Sequence, residues 1–145
     1  MSKQSEPQAP ALSVAPDPSE SVLVVDDEPG VRQFASRVLR EAGYGVEEAG
    51  DGADALSLIR RGMIDPDAVV SDIVMPRMTG VELLQSLSVE RPDVPVILMS
   101  GYGTDQLQRR GIVSPCSVLA KPFNPDLLLA EVRRCISLET PRTGA

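Results

Sequence analysis

Four short runs in this chain are apolar without interruption, and each stops at a polar residue. They are Val22 to Val25 before Asp26, Ala68 to Val70 before Ser71 and Asp72, Pro95 to Met99 before Ser100, and the Val118 to Ala120 part of a last strand over 117–120, before Lys121. A strand that faces solvent alternates apolar with polar side chains. One that is apolar throughout is covered on both faces, as in a parallel sheet packed between helix layers. Between the runs the period changes to that of a helix. Val31, Phe34, Ala35, Val38 and Leu39 recur at one-face spacing, with Gly43 at the C-terminal cap. Ala55, Leu56 and Ile59 mark a second helix over 53–61, and Val81, Leu84 and Leu87 a third over 80–88. Leu128, Val132, Cys135 and Ile136 mark a last helix that opens with Asn124 and Pro125 as cap and first residue. Gly45 to Ala49 reads as a weaker strand, and Thr104 to Arg110 as a short helix.

Strands alternating with helices specify an α/β fold, a doubly wound parallel sheet of five strands. The first 20 residues, with prolines at 7, 10, 16 and 18, are expected to be a disordered or linker arm. The folded body is expected over 21–138, and a flexible tail over 139–145.

Composition removes several functions. The chain of 145 residues contains no histidine, which excludes His-dependent nucleophilic catalysis, His-ligated metals and a phosphohistidine donor role. A net charge of -7 disfavours nucleic acid and anionic membrane surfaces as direct partners. No stretch reaches a membrane-span length and no signal peptide is evident, so a cytoplasmic location is expected. Cys116 and Cys135 are expected to be buried thiols.

In an open parallel sheet the ligand site lies beyond the carboxyl ends of the strands. The residues there are Asp26 and Asp27, Asp72, Ser100 and Lys121. Three converging carboxylates repel one another unless a cation intervenes, and an all-oxygen donor set suits a hard divalent ion, Mg²⁺ above all. A carboxylate beside Mg²⁺ is already an anion at neutral pH and can attack a phosphoryl group to form an acyl phosphate. Lys121 supplies a point charge for phosphoryl oxygen and Ser100 a hydrogen bond. Of the 14 basic residues only Lys3 and Lys121 are lysines, so the folded body keeps a single ammonium, at a strand end and ahead of proline.

The stretches VVDDEP (24–29), DIVMP (72–76) with Thr79 and Gly80, MSG (99–101) and KPF (121–123), in that order, resemble response-regulator receiver domains. The resemblance spans about residues 21–138 and is nearest to receivers attached to hybrid sensor histidine kinases. It implies a flavodoxin-like (βα)5 fold with sheet order 2-1-3-4-5. It also implies Asp72 as the phosphoacceptor, with Mg²⁺ held by Asp27, Asp72 and the backbone carbonyl of Val74, and by Asp26 mainly through water. Ser100 and Lys121 would bind phosphoryl oxygens. The donor implied is a phosphohistidine on a histidine kinase or a histidine phosphotransfer domain. The output is altered binding to a downstream protein, with a phosphorylation-linked homodimer as a further implied partner. Such a chain is not an enzyme, although it slowly removes its own phosphate. The alternative is a pseudo-receiver, a docking scaffold that works without phosphorylation. One departure is evident: the position three before the lysine, usually aromatic in receivers, is Val118. No output domain is expected after Leu138, so the effect would travel through protein contacts.

Overall fold

The computed structural model describes residues 20–101 and 114–139. Five strands form one parallel sheet: β1 (Ser21–Val25), β2 (Gly45–Ala49), β3 (Ala68–Asp72), β4 (Val96–Ser100) and β5 (Ser117–Ala120). Their order is β2-β1-β3-β4-β5, as expected of a doubly wound sheet. Four helices are described: α1 (Pro29–Glu41), α2 (Gly52–Arg60), α3 (Gly80–Glu90) and α4 (Pro125–Glu139). The helix expected over 104–110 lies outside the described residues, as does the arm up to Ser19. Helix α4 runs one residue past the expected body. Among the described residues, no helix is long and apolar enough to cross a membrane.

The apolar runs divide between two cores because successive side chains on a strand point to opposite faces. Leu23 and Val25 of β1 join Val69 and Leu98 against Ala55, Leu56 and Ile59 of α2 and Leu83, Leu84 and Leu87 of α3. Val22 and Val24 join Val70, Ile97, Met99 and Leu119 against Ala35 and Leu39 of α1 and Leu128, Val132 and Ile136 of α4. Each such Leu, Ile or Val, removed wholly from water, contributes about 1.5–3 kcal/mol relative to an exposed one.

Local chemistry sets the helix ends. Asn124 Oδ1 accepts from the backbone N–H of Asp126 at 2.8 Å and of Leu127 at 3.2 Å, making it the expected cap of α4. Gly43, with φ at 112°, follows α1 in the left-handed region, where a side chain would clash. Thr79 and Glu82 form a reciprocal capping box that starts α3 just beyond the end of β3.

Two expectations need correction. Phe34 lies on the apolar period of α1 but is 40% exposed, and it stacks on the Phe123 ring instead of entering the core. Cys116 and Cys135 are not separate thiols: they form a disulfide. The start of β5 packs against the third turn of α4, which brings their Cα atoms to 6.1 Å, within bonding reach.

Candidate functional site

Strands β1 and β3 are adjacent and parallel, with Val25 opposite Ser71, so their carboxyl ends bring Asp26 beside Asp72. Adjacent aspartates on a continuing strand would point to opposite faces. Here β1 ends at Val25, and the chain turns into α1 through Glu28. As a result Asp26, Asp27 and Asp72 each place a carboxylate oxygen within 4.8 Å of the others. Asp26 is fully buried, Asp72 is buried and Asp27 is exposed, so the cluster opens to solvent on one side.

Several backbone and side-chain groups fix this arrangement. Asp26 Oδ1 accepts from the Glu28 N–H at 2.9 Å, and the Arg32 guanidinium donates to the Asp26 carbonyl at 2.8 Å. Asp72 Oδ1 accepts from the Ile73 N–H at 2.9 Å. The loop after Asp72 is closed by the Gly80 N–H, which donates to the Ile73 carbonyl at 2.8 Å. Glycine is required there: a Cβ would overlap the Asp72 carbonyl oxygen.

Lys121 follows β5 and joins its neighbours through a cis peptide bond to Pro122. Its Nζ lies 3.1 Å from Asp26 Oδ2 and 3.2 Å from Asp72 Oδ1. Burial raises the Asp72 carboxyl above its ordinary range, the Asp26 charge adds to this, and the Lys121 ammonium and the Ile73 N–H only partly offset the rise. For Lys121 burial works downward. The Asp26 hydrogen bond and the two carboxylate charges outweigh it and hold the ammonium above its usual value. Ser100 ends β4 and is buried, and among the described residues nothing lies near the position a Cβ on its neighbour Gly101 would take. Val74, in the loop after β3, is 59% exposed.

All five side chains expected at the site therefore stand at adjoining strand ends, and Val74 lies in the loop beside them. The donor set fits a hard divalent cation: three carboxylates, oxygen throughout, with the buried Asp26 anchored by the N–H of Glu28.

Two further features were not expected. Arg77, in the same loop, has φ at 67°, uncommon for a residue with a side chain, and its guanidinium pairs with the buried Asp51 carboxylate. That pair ties the loop after Asp72 to the start of α2, where Asp51 also caps the helix by accepting from the Asp54 N–H at 2.8 Å. Beside Lys121, the Phe34 and Phe123 rings stack with centroids 5.5 Å apart. With Gly30, Val31 and Pro122 they line an apolar groove of about 370 Å³. Neither feature has a short-range signature, since the partners lie 26 and 89 positions apart.

The response regulator receiver domain family matches residues 22–133. Response regulator MprA of Mycolicibacterium vanbaalenii is 38% identical over 125 residues, which cover 86% of this chain and 53% of that protein. Sensor kinase CckA of Brucella abortus is 38% identical over 119 residues, 81% of this chain and 13% of that one. The chain thus spans about half of the first relative and a small part of the second. Among solved structures, chemotaxis protein CheY4 of Vibrio cholerae superposes with a TM-score of 0.72 at 33% identity, covering 81% of this chain and 98% of that one. This chain belongs to the response regulator receiver domain family, which takes phosphoryl groups from histidine kinases or phosphotransfer partners in two-component signalling.

Proposed function

We propose that Asp72 accepts a phosphoryl group from a phosphohistidine on a histidine kinase or phosphotransfer domain, and that the acyl phosphate changes the affinity of this chain for a downstream protein. The observation that carries this reading is the meeting of three carboxylates with one ammonium: Asp26, Asp27 and Asp72 within 4.8 Å of one another, and Lys121 Nζ 3.2 Å from Asp72.

A carboxylate oxygen of Asp72 attacks phosphorus as the N–P bond to the donor imidazole breaks, and the imidazole leaves with the bonding pair. The Asp72 oxygen is held in place by the Ile73 N–H, so the nucleophile is oriented before the donor arrives. Lys121 exchanges part of its contact with the carboxylates for a phosphoryl oxygen, and the Ser100 hydroxyl takes another. Asp26, Asp27, Asp72 and the Val74 carbonyl are the groups that would hold Mg²⁺. When bound, that ion neutralises the carboxylates and the charge that builds on the transferring group. The chain is a receiver rather than an enzyme in this reading, with slow hydrolysis of its own acyl phosphate.

The output is a population shift. Phosphate needs to favour one arrangement of the Ser100 end and the β5 face by only a few kcal/mol to change which partner binds. With Val118 half-buried against the core at the position where receivers usually carry an aromatic ring, the shift is carried by backbone and loop rather than by a swinging ring.

The reading is tested by intact mass after incubation with acetyl phosphate, with and without Mg²⁺, on the parent and on Asp72→Ala. One added phosphoryl group that requires Mg²⁺ and is lost in the variant is the expected result. If acetyl phosphate and purified phosphohistidine donors both leave the parent unmodified, the site is a docking module and the proposal fails.

A further inference from the structure

The disulfide plays no part in the phosphoryl chemistry, and the two ends of it differ. Cys135 is wholly buried in the core that α4 shares with β1, β4 and β5. Cys116 is half-buried and lines an open groove of about 460 Å³ with Leu84, Ser88, Pro95, Ser114 and Arg134. The Cys116 end of the bond therefore borders an open groove, and the Cys135 end does not.

The bond is also the covalent member of a three-part clasp. The Arg134 guanidinium donates to the Cys116 carbonyl at 3.0 Å, and the Ser117 hydroxyl donates to Glu131 Oε1 at 2.7 Å. All three contacts join the start of β5 to the middle of α4. The two polar ones lie at the surface or near it, where such bonds contribute little each.

We propose that Cys116–Cys135 is a site of thiol–disulfide exchange, entered at the Cys116 sulfur by a small thiol such as glutathione or by a dithiol protein, and that its redox state sets how firmly α4 is held to β5. In the forward direction an external thiolate attacks Cys116 Sγ. The Sγ–Sγ bond breaks and Cys135 leaves as a thiolate, which takes a proton from water. A second thiolate then attacks the external sulfur of the mixed disulfide. Cys116 is released as a thiol, and the two external sulfurs are left joined, having supplied two electrons. Oxidised glutathione drives the same steps in reverse. Cys135 is then the resolving thiol, already within bonding reach.

Since the bond closes a loop between residues 19 positions apart, reduction raises the unfolding equilibrium constant on the order of 100-fold.

The full chain is equilibrated in a series of reduced and oxidised glutathione mixtures, quenched in acid, alkylated with N-ethylmaleimide and weighed intact. The expected masses carry no maleimide or two, crossing over within the series. Cys135→Ser should take up one glutathione at Cys116, and Cys116→Ser should take up none. In urea, the oxidised parent should be the more stable by the factor above, and the doubly substituted chain should not respond to reductant. Two maleimides at every mixture, or none at any, would overturn the exchange site. Equal glutathione uptake by both single variants would overturn the assignment of Cys116 as the point of entry. Equal stability of oxidised and reduced parent would overturn the clasp.

Discussion

Gly80→Ala sets two effects of opposite sign against each other. Gly80 is the first residue of α3, where alanine is the better helix former by up to about 1 kcal/mol. Against this, the new Cβ would overlap the Asp72 carbonyl oxygen and stand 3.0 Å from both the Asp72 carbonyl carbon and Ile73 Cα. These are backbone atoms, so no rotamer change can relieve the contact. Asp72 is held in the sheet opposite Met99, and the Ile73 N–H donates to the Met99 carbonyl at 3.1 Å. Relief must come from the start of α3 or from the end of β3, and overpacking of this kind costs about 1–3 kcal/mol. The expected net effect is a loss of roughly 1–2 kcal/mol, a fall of about 1 M in the urea midpoint at an ordinary slope. Because the displaced atoms carry Asp72, the proposed phosphoacceptor, acetyl-phosphate labelling should slow by up to about 100-fold, as expected of a misplacement near 1 Å. Unfolding is followed by far-ultraviolet circular dichroism, since the chain has no tryptophan. Gly30→Ala is the matched control: it also lies in a first helical turn but meets no atom within 4 Å, so it should be neutral or slightly stabilising. A Gly80→Ala chain as stable as the parent and labelled at the same rate would refute the claim that this contact fixes the loop.

Three other perturbations probe separate parts of the molecule. Burial pushes the Asp51 carboxyl up, but the Asp54 N–H and the Arg77 guanidinium outweigh it and hold the group below its ordinary range. Its contribution is therefore complete above about pH 4 and is lost as pH falls through the lower folded value. Asp51→Ala should cost about 1 kcal/mol at neutral pH, with a gap to the parent that closes in acid; a gap constant to about pH 2 would mean that the side chain acts through packing. Val74→Asn replaces an exposed apolar side chain two residues past Asp72 with an amide that can hold water, so the acyl phosphate of the proposed reaction should hydrolyse faster than in the parent. A longer half-life by mass spectrometry would count against that role. Phe34→Ala removes half of the stacked pair beside Lys121, and transfer from a phosphohistidine protein should fall on the order of tenfold while labelling by acetyl phosphate holds. Equal losses with both donors would show that the ring supports the pocket and not the donor.

The sheet was legible because β1, β3 and β4 are buried on both faces, and a run such as Val22 to Val25 has no other use in a soluble domain. The site followed from it, since residues at the carboxyl ends of parallel strands must converge. Positions that depend on what lies beyond the element itself carry no such local signal. Phe34 satisfies the helix period, yet its ring stacks on Phe123, 89 positions away, and stays 40% exposed. The pairing of Cys116 with Cys135 depends on how the last strand meets the last helix, for which spacing alone offers no sign. The same holds for Arg77 and Asp51, one in the loop after β3 and the other after β2. By contrast, the capping box of Thr79 and Glu82 stands openly in the chain as a hydroxyl residue followed three places on by glutamate.

Lys121 comes from an edge strand, and its partner Asp26, 95 positions away, comes from β1, with β3 and β4 lying between. The ion pair can close only after every intervening strand has docked in register. A chain with β5 still undocked keeps its acidic cluster but has no ammonium facing it, and it presents three anions to an anionic phosphoryl group. In the proposed reaction, competence to receive phosphate therefore waits until β5 has docked. Under the proposed function, a nascent or locally unfolded copy would thereby draw no phosphate from the donor.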